Sequence, residues 1–390
     1  MTTETKPMKV ESDGREIKKV SLLQALMVPL GLLLMGCGPV YFFYGFNFFL
    51  PLEWKLLNKT SEDWNRILED KSMLMLGGHH RGGTTLMWNM LKLHPSIGSF
   101  GTMRETGADY SEGVFLQDVI PLFGIGSEGL GGSTTGNRRS EDRGLGMYAL
   151  APENEVHWTE DNHKDQVTYE KRDRLLNAWG YHWLSNKAMD KPYLMEKSPT
   201  NAVVSRYLQA VFDLGIENEQ RRRRGSTRSK FLFLVRHPIA NSYAHRAGFA
   251  GCQHLGMDKL IGNWLKIMTY IQNDAKKKQL RQVMIVRLED LTANPDKVYR
   301  EVLKYLELDV TEEVVQRAVS IVKPNQNAKY ELQFCKDIYK HGYQVGNKAF
   351  EELDGMFGSE VRALGYDLRE YMQKCPQPGS LKAGESSGEL

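Results

Sequence analysis

The sequence GHHRGGTTLMWNM at residues 78–90 is the clearest indicator of the fold. Gly78 and Gly83 have the spacing G-x-x-x-x-G of a phosphate-binding loop, and Thr84 and Thr85 follow directly. The apolar run SMLMLGG before the loop predicts a buried strand, and TTLMWNMLKLH after it (84–94) has the spacing of a helix with one apolar face. Backbone N–H groups of such a loop, together with the start of the helix, form a cradle for an anion.

The loop lacks the lysine with which nucleoside triphosphatases neutralise the β- and γ-phosphates, because Thr84 occupies that position. Transfer of a phosphoryl group needs a metal ion and a placed cation, whereas a sulfuryl group carries less charge. Arg81 and side-chain hydroxyl donors are enough for that second chemistry. The loop therefore favours sulfuryl transfer over phosphoryl transfer.

Three further apolar runs predict strands, and a helical stretch follows each of them: PYLMEKS (192–198), KFLFLVR (230–236) and QVMIVRLE (282–289). This alternation predicts an α/β fold with a P-loop-type parallel sheet flanked by helices. Ligands of such sheets bind at the carboxyl ends of the strands, so we expect the loop, Lys197 and Arg236 at one edge. The acidic pair Glu289 and Asp290 ends the last run, where helix capping is the more frequent role.

Four motifs in this order resemble the sulfotransferases that use 3′-phosphoadenosine 5′-phosphosulfate (PAPS). They are RGGTTL (81–86), EKSP (196–199), RHP (236–238) and LEDL (288–291). The resemblance covers about residues 72–308, with a looser extension to 368. The stretch SEGVFLQ (111–117) is similar to a stretch in a membrane-anchored or microbial branch of this family. That branch is distantly like the tyrosylprotein sulfotransferases. The resemblance implies attack of a hydroxyl or amine acceptor on the sulfur of PAPS. Because the loop lacks the lysine and the sequence has no His, Cys or carboxylate spacing of a metal site, we expect no metal.

The resemblance also implies a set of residues that bind PAPS. They are Arg81, Gly82, Gly83, Thr84, Thr85, Arg236 and Ser242. The family has a serine eight residues after the arginine of the RHP motif, but this chain has Ala244 there, and Ser242 is the nearest hydroxyl.

Catalytic roles follow from the same resemblance. Arg81 and Lys197 are expected to stabilise the negative charge that develops on the sulfonate. Glu112 and Glu105 are the two candidates for the base that accepts the proton of the acceptor, and Glu112 is favoured because it lies in the stretch that carries the resemblance. His79 and His80 are expected to shape the loop rather than to act as the base.

The composition excludes several classes of protein. The chain has 390 residues, with 51 Lys and Arg against 48 Asp and Glu, which gives a formal charge of +3. This balance does not suit a nucleic-acid-binding protein, and a hydrophobic fraction of 41% excludes a disordered chain. The four cysteines are too few and too scattered for a CxxC metal site, although Cys252 and Cys335 are a candidate disulfide if the domain is luminal.

Charged residues stop at Lys19 and resume at Glu53, and the apolar run between them is long enough to cross a bilayer. A cleaved signal peptide and a pair of interfacial helices are the alternatives. With basic residues before the run, we expect a single-pass protein of the Golgi or ER with a luminal catalytic domain. The predicted organisation is a cytosolic tail (1–19), a membrane anchor (20–52), a stem (53–70), a sulfotransferase domain (71–370) and a disordered tail (371–390).

Two questions stay open at the level of the sequence. The sulfate acceptor is a peptide, a glycan or a small molecule, and the oligomeric state is undefined. A P-loop kinase-like enzyme or a non-catalytic phosphate-binding membrane protein is the alternative function, although the missing loop lysine argues against a kinase, and the presence of Lys197 and Arg236 argues against an inert relative.

Overall fold

A parallel sheet of five strands lies at the centre of the computed structural model. The strands are β1 (Ser72–Gly78), β2 (Ile97–Ser99), β3 (Tyr193–Lys197), β4 (Ser229–Val235) and β5 (Val283–Arg287). They lie in the order β2-β3-β1-β4-β5, and each pair of neighbours is parallel. The structure describes residues 56–101, 112–121, 123, 156–216, 227–249, 252–324 and 327–376.

Helices flank the sheet and connect its strands. They are α1 (Ser61–Ile67), α2 (Thr84–Leu91), α3 (Tyr169–Ser185), α4 (Asn201–Phe212), α5 (Pro238–Gly248), α6 (Met257–Lys276), α7 (Leu288–Ala293), α8 (Pro295–Tyr305), α9 (Glu312–Val319), α10 (Ala328–Tyr339), α11 (Tyr343–Ala363) and α12 (Arg369–Gln373). The predicted α/β fold, with a parallel sheet flanked by helices, is confirmed.

The central strand β1 is buried from Met73 to Gly78 because both of its faces are covered. Successive residues of a strand point to opposite faces. Met73 and Met75 accordingly join one apolar core, which also contains residues of α4 and α6. Leu74 and Leu76 join a second core, which contains residues of α2, α8 and α9. The sheet therefore separates two cores, and helices cover each side.

The register of the strands brings three strand ends to one edge. Leu76 of β1 pairs with Lys197 of β3, and Gly78 pairs with Leu234 of β4. β2 and β3 lie on one side of β1, and β4 and β5 lie on the other. The order of the strands thus changes direction at β1, which is where open α/β sheets bind their ligands.

A disulfide joins two of the C-terminal helical segments to each other. Cys335 of α10 is bonded to Cys375, which follows α12, while Cys252 is buried and takes no part in this disulfide. The suggested pairing of Cys252 with Cys335 is therefore wrong. Ordered structure also continues past residue 370, because Tyr371 and Met372 of α12 are buried.

The prediction of a single-pass protein with a luminal catalytic domain in the Golgi or ER is wrong. Within the described ranges, no helix is both long enough and apolar enough to cross a membrane. A span needs about 20 mainly apolar residues, and the two longest of these helices, α6 and α11, carry charged side chains throughout. The predicted tail (1–19) and anchor (20–52) lie outside the described residues.

Candidate functional site

The loop between β1 and α2 begins and ends at glycines that the backbone requires. Gly78 has a φ of 134°, and a Cβ at this position would lie 2.0 Å from the carbonyl oxygen of Leu234. Gly83 has a φ of 102° and forms the N-cap of α2 without a side-chain hydrogen bond. Both conformations belong to the region that favours glycine. The glycine spacing of the sequence therefore reflects two specific backbone positions.

The uncapped start of α2 supplies donors for an anion. The carbonyl oxygen of Gly83 accepts hydrogen bonds from the N–H groups of Leu86 and Met87 (3.0 and 3.2 Å). The N–H groups of Thr84 and Thr85 lie before these bonds, in the part of a helix that has no intrahelical acceptor. They carry the positive end of the helix dipole. This donor set fits a phosphate or sulfate group.

Arg81 lies in the middle of the loop with a φ of 62° and an exposed side chain. Its guanidinium group lies 5.6 Å from the ring centroid of Phe249. Gly248 leaves room for it, since a Cβ there would lie 2.8 Å from Cζ of Arg81. The carbonyl oxygen of Arg81 accepts a hydrogen bond from Nη1 of Arg236 (3.2 Å). The loop and the end of β4 are thus in direct contact.

Arg236 is buried directly after β4. Its guanidinium group lies 4.8 Å from the ring centroid of Tyr330, and its Nε donates to Oδ1 of Asn327 (2.8 Å). Burial lowers the pKa of Arg236 below its ordinary value, because desolvation disfavours the charged form. A cation held in a buried place is a strong ligand for an anion that can reach it.

Ser242 is less well placed than the sequence predicts. Its side chain is buried, and its hydroxyl donates to the carbonyl oxygen of Pro238 in the first turn of α5 (2.8 Å). The neighbouring Asn241 contacts the loop instead, since its Nδ2 donates to the carbonyl oxygen of His80 (2.8 Å). Asn241 could not be predicted from the sequence, because one asparagine inside a helix has no distinctive pattern.

Lys197 and Glu112 form a buried ion pair at the end of β3. Nζ of Lys197 lies 2.8 Å from Oε1 of Glu112, and it also lies 5.8 Å from the ring centroid of Trp88 in α2. Glu112 directly precedes a 3-10 turn (Gly113–Leu116). The structure thus brings together the favoured base and the predicted cation. Glu105, the other candidate base, lies outside the described residues.

Glu196 holds the segment that carries Glu112. Its carboxylate accepts hydrogen bonds from the N–H of Gly113 (2.8 Å), from the hydroxyl of Ser198 and from the side-chain amide of Asn201. Gly113 has no space for a side chain, because a Cβ there would lie 2.7 Å from Cγ of Glu196. Burial raises the pKa of Glu196 to about 7, and these hydrogen bonds only partly offset it.

The two loop histidines are buried. The ring of His79 stacks on Trp264 at 5.2 Å, and its Nε2 lies 3.1 Å from the carbonyl oxygen of that residue. Burial lowers the pKa of His79 to about 3 and that of His80 well below its ordinary value. Both rings are therefore neutral near pH 7, and their contacts suit the predicted role of shaping the loop.

A cavity of about 720 Å³ lies away from this edge, between α6 and α11. It is lined by side chains such as His157, Asp274 and Phe357, and it contains no loop residue. Within the part of the chain that the structure describes, no group of three His, Cys, Asp or Glu side chains is arranged to hold a metal ion.

The fold and the loop define a protein of the P-loop type, whose donors at one edge of the sheet suit a phosphate or sulfate group. A model of the sulfotransferase family matches residues 74–312, which is more than half of the chain. The chain therefore belongs to the sulfotransferase family. It is an enzyme that transfers sulfuryl groups, and PAPS is the co-substrate that this family generally uses. The resemblance inferred from the motifs is confirmed.

Solved structures of sulfotransferases are similar to this chain at low identity. The sulfotransferase domain from the Synechococcus PCC 7002 olefin synthase is 19% identical, with 65% of this chain and 81% of that chain covered and a TM-score of 0.34. The sulfotransferase domain from the curacin biosynthetic pathway is 17% identical, with 66% of this chain and 85% of that chain covered and a TM-score of 0.36. Sulfotransferase STF9 from Mycobacterium avium is 12% identical, with 67% of this chain and 71% of that chain covered and a TM-score of 0.34. No curated protein matches the chain.

Proposed function

We propose that this enzyme transfers the sulfuryl group of PAPS to a hydroxyl or amine of its acceptor at the edge formed by β1, β3 and β4. One observation carries the proposal. The phosphate-type loop contacts Arg236 on one side through the carbonyl oxygen of Arg81, and the ion pair of Lys197 and Glu112 lies at the end of the neighbouring strand. Two anion sites and an acid–base pair thus share one edge.

The donor has two anionic ends, and the edge offers two sets of partners. Arg81, the backbone of Gly82 and Gly83, and the N–H groups and hydroxyls of Thr84 and Thr85 would hold the 5′-phosphosulfate. Arg236 would hold the 3′-phosphate. Bound PAPS supplies the sulfuryl group that the reaction transfers.

Residues of the enzyme would then accept the proton of the acceptor and stabilise the negative charge on the sulfonate. Glu112 would accept the proton of the acceptor hydroxyl or amine at its carboxylate. Lys197 and Arg81 would stabilise the negative charge that develops on the sulfonate. The backbone bond from Gly113 to Glu196 holds the base in place during this step.

A binding experiment tests the donor assignment. Thermal unfolding is followed with 3′-phosphoadenosine 5′-phosphate (PAP), the product left after transfer, and separately with ATP and magnesium. A ligand that binds only the folded state raises the midpoint of unfolding. We expect a rise with PAP and none with ATP and magnesium. A rise with ATP and magnesium alone would instead support the kinase-like alternative.

The acceptor is a separate question. Turnover of labelled PAPS with panels of peptides, glycans and small phenols would identify which class takes up the label. We expect label transfer to one class only, and the Glu112→Gln variant is the control for transfer that does not depend on this site.

A further inference from the structure

Arg236 is held by an amide that lies beyond the family match. Oδ1 of Asn327 accepts hydrogen bonds from Nε (2.8 Å) and Nη2 (2.5 Å) of Arg236. The family model ends at residue 312, so Asn327 belongs to the C-terminal part that this model does not include. We infer that Asn327 and Glu289 are positioning residues that fix the guanidinium group of Arg236 for the 3′-phosphate of the donor. This inference rests on the proposed function.

Glu289 fixes the orientation of the Asn327 amide. Oε1 of Glu289 accepts a hydrogen bond from Nδ2 of Asn327 (2.9 Å) and a second one from the backbone N–H of His237 (2.9 Å). The Asn327 amide can hydrogen-bond to both Arg236 and Glu289 in only one orientation, because the arginine only donates and the carboxylate only accepts. Glu289 thus ties the amide to the residue that follows Arg236 in the chain.

A neutral amide orients Arg236 without neutralising it. A carboxylate in direct contact with the guanidinium group would form a bidentate ion pair and compete with a phosphate for the same donors. Asn327 places one residue between Glu289 and Arg236, so the negative charge of Glu289 stays one hydrogen bond further away. The arginine is held firmly and keeps its charge for the ligand.

Tyr330 further restricts the side chain of Arg236. Tyr330 covers the guanidinium group at 4.8 Å, and it lies on α10, which begins directly after Asn327. The backbone carbonyl of Asn327 accepts hydrogen bonds from the N–H groups of Tyr330 and Glu331. The positioning amide is therefore part of a helix start, and its own freedom is small. Preorganised donors bind an anion more tightly than mobile ones.

The experiment compares two ligands that differ in one phosphate. Dissociation constants of PAP and adenosine 5′-monophosphate (AMP) are measured by calorimetry for the full chain and its variants. The ratio of the AMP constant to the PAP constant reports the 3′-phosphate contact alone. We expect Asn327→Ala and Glu289→Ala to lower this ratio about tenfold, which is the effect of one charge-assisted hydrogen bond, while the AMP constant changes little.

Two conservative variants separate orientation from charge. Glu289→Gln keeps the accepting oxygen, so we expect the ratio to stay at the level of the unmodified protein. Asn327→Asp keeps an oxygen for Arg236 but adds a charge there, so we expect the ratio to fall at least as far as with Asn327→Ala. If Asn327 served only to dock α10, Asn327→Ala would leave the ratio unchanged, and that result would overturn the inference.

Asn347→Ala is the matched control. Asn347 donates to Glu351 on the exposed side of α11 (2.7 Å), so the change removes a similar Asn–Glu hydrogen bond, and we expect an unchanged ratio. Should Asn327→Ala fail to fold, a loss with Glu289→Ala that Glu289→Gln does not show decides the matter. An unmodified protein that does not prefer PAP over AMP contradicts the proposed function itself. A preference that survives both alanine variants contradicts only the positioning inference.

Discussion

Glu112 is the residue on which the proposed proton transfer depends. Glu112→Gln keeps the shape of the side chain and an oxygen for Lys197, but it removes the proton acceptor. We expect kcat to fall by about 10² to 10⁴ while the affinity for PAP stays nearly constant. Steady-state rates and PAP titrations measure the two quantities. Glu105→Gln is the control: if it alone lowers kcat, the base is Glu105.

Arg236 and Ser242 are expected to contribute very differently to the binding of PAP. Arg236→Ala removes a buried cation that contacts the loop, so PAP binding should weaken by about 1 to 3 kcal/mol. Ser242→Ala removes a hydroxyl that is already bonded to Pro238, so binding should change by less than about 0.5 kcal/mol. Calorimetric titration checks both values. A large loss with Ser242→Ala would show that this hydroxyl turns toward the ligand on binding.

Motifs at the ends of strands predicted which residues meet at one edge of the sheet, and residues outside such motifs could not be predicted. The loop, Lys197 and Arg236 follow strands whose ends a parallel sheet brings together, so their shared edge could be predicted. Asn327 could not be predicted, because it lies 91 residues after Arg236 and an isolated asparagine has no local signature. Contacts of this kind depend on the packing of the whole chain.

Among the elements, continuous apolar runs gave the clearest signals. The run SMLMLGG coincides with β1, and the run KFLFLVR differs from β4 by one residue at each end. Strands buried on both faces have such sequences because no position faces water. β2 has three residues, one of them a glycine, and so short an edge strand has no periodic pattern. The sequence did not predict it.

The disulfide between α10 and the segment after α12 is expected to stabilise the folded protein. Cys335 and Cys375 are separated by 40 residues, and a closed loop of that length restricts the unfolded chain by about 4 kcal/mol in the loop-entropy treatment. We expect a reducing agent to lower the midpoint of thermal unfolding of the unmodified protein. The Cys335→Ser variant should unfold at a lower midpoint that no longer responds to the reductant. An equal response in both proteins would show that these cysteines are not bonded.

For the molecule as a whole, buried titratable groups determine how stability depends on pH. Four buried histidines have pKa values below the ordinary value: His79, His80, His237 and His245. The unfolded chain binds more protons than the folded chain wherever these rings are neutral only in the folded state. Their contribution to stability is complete above about pH 6.5, and it is lost as the pH falls toward about 4, the pKa of His237 and His245.

Two buried carboxyl groups act in the opposite direction. Burial raises the pKa of Glu196 to about 7 and also raises the pKa of Asp213. The folded chain holds these protons after the unfolded chain has released them, so their contribution is complete at low pH and is lost as the pH rises toward 7. The four rings outnumber the two carboxyl groups, so the unfolded chain binds more protons than the folded chain between pH 5 and 6.5.

The free energy of unfolding should therefore rise with pH between pH 5 and 6.5, by about 1.4 kcal/mol per pH unit for each proton of that difference. Denaturant unfolding at closely spaced pH values measures this slope. Glu196→Gln removes one of the two opposing groups and keeps an accepting oxygen for the N–H of Gly113, so its slope should be steeper by about 1.4 kcal/mol per pH unit. Equal slopes in the two proteins would mean that the carboxyl of Glu196 titrates normally in the folded chain. A flat or falling curve in the unmodified protein would mean that the buried histidines accept protons without unfolding.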